Sequence, residues 1–182
     1  NVTATAYNYT ASLPTSAGAA VVTINNCDLK GLNTVNVAAP GAKITINDTT
    51  LRCEDNTSSE SYAVINVNMD AVGAEVIVNG GEVIITGSNA EGTIAGNNGS
   101  DGGTIVFNGT KGNTTVTGDS FGVMRGDYYY SCKSFEEALK VATSNDIIKL
   151  TKSLTVETPI VVPADRDITL DLNGKTITAG TL

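Results

Sequence analysis

The side chains in this chain whose types and spacing bear on chemistry are few. They are Arg52, Arg125 and Arg166, the thiols of Cys27, Cys53 and Cys132, and close carboxylates at Glu54-Asp55 and Asp165-x-Asp167. Histidine is absent, which removes Ser-His-Asp and Cys-His arrangements and most zinc sites. Paired carboxylates can hydrolyse glycosides, but both pairs fall where loops or turns are expected rather than on the face of a strand. The cysteines form no Cys-x-x-Cys pair. Cys27 and Cys53 lie in neighbouring repeats and fit either a disulfide or two buried thiols, and the odd count leaves at least one thiol free or paired to another chain. The run Asn97-Asn-Gly-Ser-Asp101-Gly-Gly103 has oxygens suited to Ca²⁺ but not the ligand spacing of an EF-hand. The expectation is no catalytic residue, no cofactor and no metal.

The elements that position these residues are legible from a repeat. Val22-Thr-Ile24-Asn25-Asn26, Ile44-Thr-Ile46-Asn47-Asp48, Val76-Ile-Val78-Asn79-Gly80, Ile105-Val-Phe107-Asn108-Gly109 and Leu170-Asp-Leu172-Asn173-Gly174 share one pattern. Their asparagines lie 22, 32, 29 and 65 positions apart, the scale of a solenoid coil. Residues one and three before each Asn are apolar, and side chains two apart in a strand face the same way. These columns are therefore expected to line a continuous interior, with Thr23, Thr45, Ile77, Val106 and Asp171 pointing out. Asn followed by Asn, Asp or Gly suits a tight corner, because these residues tolerate left-handed backbone. Four residues past the corner Leu29, Leu51, Val83 and Ile177 recur, and Gly112 breaks the column. Independent β-hairpins of a sandwich are the competing reading, since Asn-Gly also favours hairpin turns. Stacked coils make the sharper prediction that the Asn side chains form a hydrogen-bonded ladder. Ile77 and Val106 are apolar where an exposed face should be polar, which marks either cover by the chain's own segments or an interface.

Composition narrows the class. With 41% hydrophobic and 5% aromatic residues, 19 Gly and no Trp, the 182-residue chain suits a slender core of small β-branched side chains. Its net charge of −8 argues against nucleic acid or an anionic membrane as partner, since both need a basic face. No stretch approaches the apolar length of a membrane span, and no leader precedes Asn1, as in a mature chain or a fragment. Asn-x-Ser/Thr triplets begin at Asn1, Asn8, Asn47, Asn56, Asn98, Asn108 and Asn113 and fit an extracellular protein, a weak signal in a chain so rich in these residues.

Residues 1–20, with Tyr7 and Tyr9 alternating, predict an edge strand and loop, and coils are expected from 21 to 118 with loops at 54–61 and 87–103. One helix is expected from Phe135 to about Thr143, with Ser134 as N-cap, Glu137 completing a capping box, and Phe135, Ala138, Leu139 and Ala142 on one apolar face. Tyr128, Tyr129 and Tyr130 precede it, as a binding platform or as packing for the helix. Short strands are predicted at Ile147–Leu150, Leu154–Val156, Pro159–Val162, Ile168–Leu172 and Lys175–Thr178.

The segment Ser134-Phe-Glu-Glu-Ala-Leu-Lys, through Asn145-Asp-Ile-Ile-Lys-Leu150, to Ile168-Thr-Leu-Asp-Leu-Asn-Gly-Lys-Thr-Ile177 resembles the opening of right-handed parallel β-helix domains in bacterial surface proteins of the pectate-lyase-like superfamily. The resemblance implies an all-β, right-handed parallel β-helix solenoid with one short capping α-helix. It covers about 45 residues and concerns fold more than chemistry, because the superfamily includes lyases, hydrolases and non-enzymatic adhesins. A β-helix lyase would need Ca²⁺-binding carboxylates and an Arg or Lys base. Coils are expected over 1–126, and the capping helix with further coils over 127–182, the latter either the start of a second module or a continuation of the same solenoid. The expected function is a non-catalytic, structural or adhesive module at the cell surface or outside the cell. Its expected partners are other copies or adjacent modules of the same protein, stacked end to end, with glycans a second class. The alternative is a carbohydrate-active β-helix enzyme. The residues singled out are the corner asparagines Asn25, Asn47, Asn79, Asn108 and Asn173, and Ile77, Val106, Tyr128, Tyr129 and Tyr130 as a candidate interface.

Overall fold

A computed structural model describes residues 2–53, 62–86, 90–95, 103–112 and 120–180, with backbone alone at 62 and 90–95. The chain is all-β with one short α-helix, and it divides into two compact units, Asn1–Gly118 and Asp119–Leu182.

In the first unit the same three-strand order recurs. It runs β1 (Thr3–Thr5), β2 (Ala11–Leu13), β3 (Val21–Asn25); β4 (Asp28–Lys30), β5 (Val35–Val37), β6 (Lys43–Asn47); β7 (Thr50–Cys53), β8 (Tyr62–Val67), β9 (Ala74–Asn79); and β10 (Glu82–Ile85), β11 (Ala90–Ala95), β12 (Gly103–Gly112). Each strand pairs in parallel with the strand one round later. The stacks are β1-β4-β7-β10, β2-β5-β8-β11 and β3-β6-β9-β12, and the end of β12 returns beside β10. Parallel neighbours cannot be joined by a tight hairpin, so the Asn corners here are not hairpin turns.

The register explains the core. Val22, Ile44, Val76 and Ile105 are ladder partners, as are Ile24, Ile46, Val78 and Phe107. From Ile44 onward all of these are buried, together with Leu29, Leu51 and Val83 and with Val35, Val37, Ile65 and Val67 from the second stack. Val22 and Ile24 are only half-buried, because β3 has one neighbour among the described strands. Gly112 interrupts the apolar column for a steric reason. It is in register with Val83 at φ 123°, and a Cβ there would run into the Val83 carbonyl.

The second unit opens with a hairpin, β13 (Phe121–Arg125) and β14 (Tyr128–Cys132), turning at Gly126 with φ 57°. The expected division at 126/127 falls in this turn, whereas the compact units divide at 118/119, so β13 stays with its partner. β13 also pairs antiparallel with β15 (Ile147–Leu150), a departure from the all-parallel coils expected here. Parallel pairing then resumes: β15 with β17 (Thr169–Asp171), and β16 (Leu154–Val156) with β18 (Ile177–Ala179). The strand expected at Pro159–Val162 does not form. Pro159 and Pro163 remove donors at both ends, and Val161 and Val162 remain exposed.

The helix α1 (Phe135–Val141) starts where the Ser134 hydroxyl accepts from the Glu137 N–H at 3.1 Å. The Glu137 carboxylate reaches back to the Lys133 N–H at 2.7 Å, one residue beyond the usual capping-box target. A helix this short is not stable alone. It is held by its apolar face: Ala138 and Ala142 are buried with Phe121, Val123, Cys132, Ile148 and Leu150, and Phe135 meets Phe121 edge-on at 5.6 Å. It stops before the expected Thr143 because Ala142 turns extended, at φ −65° and ψ 140°.

Candidate functional site

The most regular polar construction in the chain is the corner after β3, β6, β9 and the strand portion of β12 that ends at Asn108. Register makes Asn25, Asn47, Asn79 and Asn108 ladder partners. Each amide Nδ2 donates to the Oδ1 one round earlier: Asn47 to Asn25 at 2.8 Å, Asn79 to Asn47 at 2.8 Å, and Asn108 to Asn79 at 2.9 Å. The next residue supplies the left-handed backbone, with φ 51° at Asn26, 45° at Asp48, 64° at Gly80 and 71° at Gly109. Asn173 is built differently. It takes φ 50° itself, its N–H donates to Asp171, and its Nδ2 donates to the Leu150 carbonyl.

Two residues past the corner stand Cys27, Thr49, Gly81 and Thr110. The Cys27 thiol donates to the Asn25 carbonyl at 3.2 Å, as the Thr49 hydroxyl does to the Asn47 carbonyl at 2.9 Å. The Cys27 N–H in turn donates to the Thr49 oxygen at 3.2 Å, and buried Thr110 donates to the Val78 carbonyl. Cys27 therefore occupies a corner position filled by Thr in two of the other three rounds and by Gly81 in the third. The triplets at Asn47 and Asn108 place their Thr inside the fold, where the Thr49 hydroxyl ties its own turn and the Thr110 hydroxyl bonds the round before it. Asn8 bonds Asn33 at 3.3 Å, while the triplets at Asn1, Asn56, Asn98 and Asn113 begin outside the described residues.

A second set of amide contacts was not visible in the repeat. Asn66 donates to Asn36 at 2.9 Å, and Asn36 to Ser12 at 3.5 Å, across β8, β5 and β2. Their only sequence signal is their position in the middle of short apolar strands. Removing one central amide tests the first ladder. Asn79→Ala strands the Asn47 oxygen and the Asn108 amide, with an expected loss of about 1–3 kcal/mol. Asn108→Ala, at an exposed rung, should cost less than half of that. Urea unfolding of both variants checks the ranking, and equal costs would mean that the rungs do not act as a ladder.

The candidate interface residues separate into the two units. Ile77 and Val106 are ladder partners, both half-buried beside Thr45. The tyrosines do not share one exposed face, because strand side chains alternate. Tyr128 is exposed. Tyr129 is buried, with its hydroxyl where a Cβ on Gly122 would sit, and Tyr130 packs against the helix core with the Arg125 guanidinium 5.3 Å from its ring centre.

The arginines are engaged locally, within their own units. Arg52 forks onto Asp28 at 2.7 and 3.3 Å. Arg166 donates to the Ala142 carbonyl at 2.8 Å. Arg125 donates to the Val141 carbonyl at 2.8 Å and pairs with Asp146 at 2.8 Å. The last helical carbonyls thus meet two cations, the favourable sign for a helix C-terminus. Asp146 also accepts from the Thr143 N–H at 2.8 Å and the Thr143 hydroxyl at 3.2 Å. Burial alone would raise its carboxyl, but the hydrogen bonds from Arg125 and Thr143 outweigh it and hold Asp146 below its ordinary range. The bond to Asp146 correspondingly holds Arg125 above its ordinary value.

None of the three cysteines is in a disulfide, and burial pushes the Cys53 thiol up, away from the reactive thiolate. Asp165 is exposed in a turn and Asp167 is exposed just past it, Asp171 lies 3.7 Å from Lys149, and Glu54-Asp55 is outside the described residues, as are 97–102 of the glycine-rich loop. Among the described residues no three His, Cys, Asp or Glu are grouped to hold a metal, and no helix is long and apolar enough to cross a membrane. Comparisons with protein-family models, with curated proteins and with solved structures found no match to this chain.

Proposed function

We propose that this chain is a right-handed parallel β-helix module of the pectate-lyase-like kind, extracellular or on a cell surface, serving a structural or adhesive role without catalysis. The observation that carries this reading is the asparagine ladder at equivalent corners of parallel, in-register strands. Such a stack is a rigid rod whose ends are rows of backbone donors and acceptors. β1, β2 and β3 each have one partner among the described strands, and Val2 beside β1 and Val21 on β3 are exposed at 60% and 78%. These edges suit pairing with an adjacent module or another copy. Light scattering across concentrations, with electron microscopy of the same sample, tests the reading. Rods that lengthen with concentration are expected. A monomer that depolymerises polyuronate in Ca²⁺, and loses that activity when Arg52, Arg125 or Arg166 is replaced, would overturn it in favour of a carbohydrate-active enzyme.

A further inference from the structure

Asn-Gly is the dipeptide least protected against loss of its side-chain amide, because Gly leaves the following nitrogen unhindered. Asn79-Gly80 and Asn108-Gly109 sit at equivalent corners one round apart, so the fold itself supplies a matched pair. At Asn79 both ends of the amide are engaged: Nδ2 donates to Asn47, and Oδ1 accepts from Asn108. The Gly80 N–H, the nucleophile in any ring closure, donates to the Asn108 carbonyl at 3.0 Å. At Asn108 the side chain is exposed and makes one rung, to Asn79, and among the described residues no later round offers Gly109 a corresponding Asn carbonyl.

We propose that Asn108-Gly109 is a site of spontaneous deamidation in the folded protein, and that the ladder shields Asn79-Gly80 from the same reaction. The Gly109 nitrogen attacks the Asn108 side-chain carbonyl carbon. A C–N bond forms, the bond to the side-chain nitrogen breaks, and ammonia leaves with the Gly109 amide proton. Water then opens the succinimide at either carbonyl to give aspartate or isoaspartate. Nothing is oxidised or reduced, and the net exchange is water for ammonia. The product carries a carboxylate in place of the donor to Asn79, so the last rung is lost and one negative charge is added to the net −8. Ring closure at Asn79 must first break two rungs and the Gly80 hydrogen bond, against one rung at Asn108. Two additional hydrogen bonds correspond to roughly tenfold or more in rate.

The test is peptide mapping by mass spectrometry of the intact chain, aged in mildly alkaline buffer, folded and in denaturant. The expected result is conversion at Asn108 at least roughly tenfold faster than at Asn79 when folded, and similar rates when unfolded. Equal rates in the folded protein, or faster loss at Asn79, would overturn the proposal. Asn108→Ser gives a second reading, since it removes the rung to Asn79 and the conversion at Asn79 should then rise severalfold. An unchanged Asn79 rate in that variant, with circular dichroism showing a folded chain, would also overturn it.

Discussion

Phe107→Ala is expected to lower the stability of the first unit by about 3–5 kcal/mol. Phe107 is the largest fully buried side chain among the described residues, and it occupies a column otherwise filled by Ile24, Ile46 and Val78. Truncation removes the transfer free energy of a ring and leaves a void. The void is hard to close because the strands that bound it are fixed by parallel backbone ladders, so the walls cannot move inward without breaking hydrogen bonds. A conservative change two residues earlier on the same strand, Ile105→Val, should cost only about 0.5–1.5 kcal/mol. Guanidinium unfolding gives the two values, and hydrogen exchange at the β9 and β12 amides assigns the loss to this unit. If Phe107→Ala cost no more than Ile105→Val, the column would be able to repack, and its rigidity would have to be abandoned.

How much of this was legible before the structure depends on which force fixes each element. Period-two burial is written in the residue types, so the columns ending at Asn25, Asn47, Asn79 and Asn108 could be aligned from sequence, and the helix start at Ser134 follows from one hydroxyl and one Glu. The antiparallel hairpin over Phe121–Cys132 was not legible, because Phe-Gly-Val-Met-Arg carries the same alternation whichever way its neighbour runs. Asn173 shows the limit of a local pattern. It has the same flanking residues as the other corners, yet it bonds a backbone carbonyl rather than another Asn. The Asn36–Asn66 contact was missed because nothing local separates a laddered Asn from a solvated one. The Pro159–Val162 segment failed in the opposite sense, with apolar residues read as a strand where flanking prolines deny it donors.

The second large effect is expected at Arg125, and its dependence on pH gives it a signature. Arg125→Met keeps most of the side-chain volume but leaves Asp146, whose side chain is 5% exposed, with Thr143 as its remaining donor among the contacts described above. It also leaves the Val141 carbonyl at the helix end without its cation. Removing one partner of a buried pair costs about 3–5 kcal/mol, and the expected loss lies near the lower end, about 3 kcal/mol, because Arg125 itself is 39% exposed. The folded Asp146 carboxyl titrates below its unfolded value of about 3.9, so its contribution is fully present above that value and is lost as pH falls through the folded one. Arg125 stays charged throughout this range. The second unit should therefore be equally stable from neutral pH down to about 5 and weaken below about 4. In Arg125→Met the carboxylate has lost its cation and titrates higher, so the gap between the variant and the parent should narrow on acidification. Asp146→Asn should flatten the acid response of the parent, and the double variant should lose less than the sum of the two single changes, because both act on one contact. Stability curves from urea unfolding at several pH values carry the test, and a gap that stays constant down to pH 3 would place the effect of Arg125 in its packing on Tyr130 rather than in its charge.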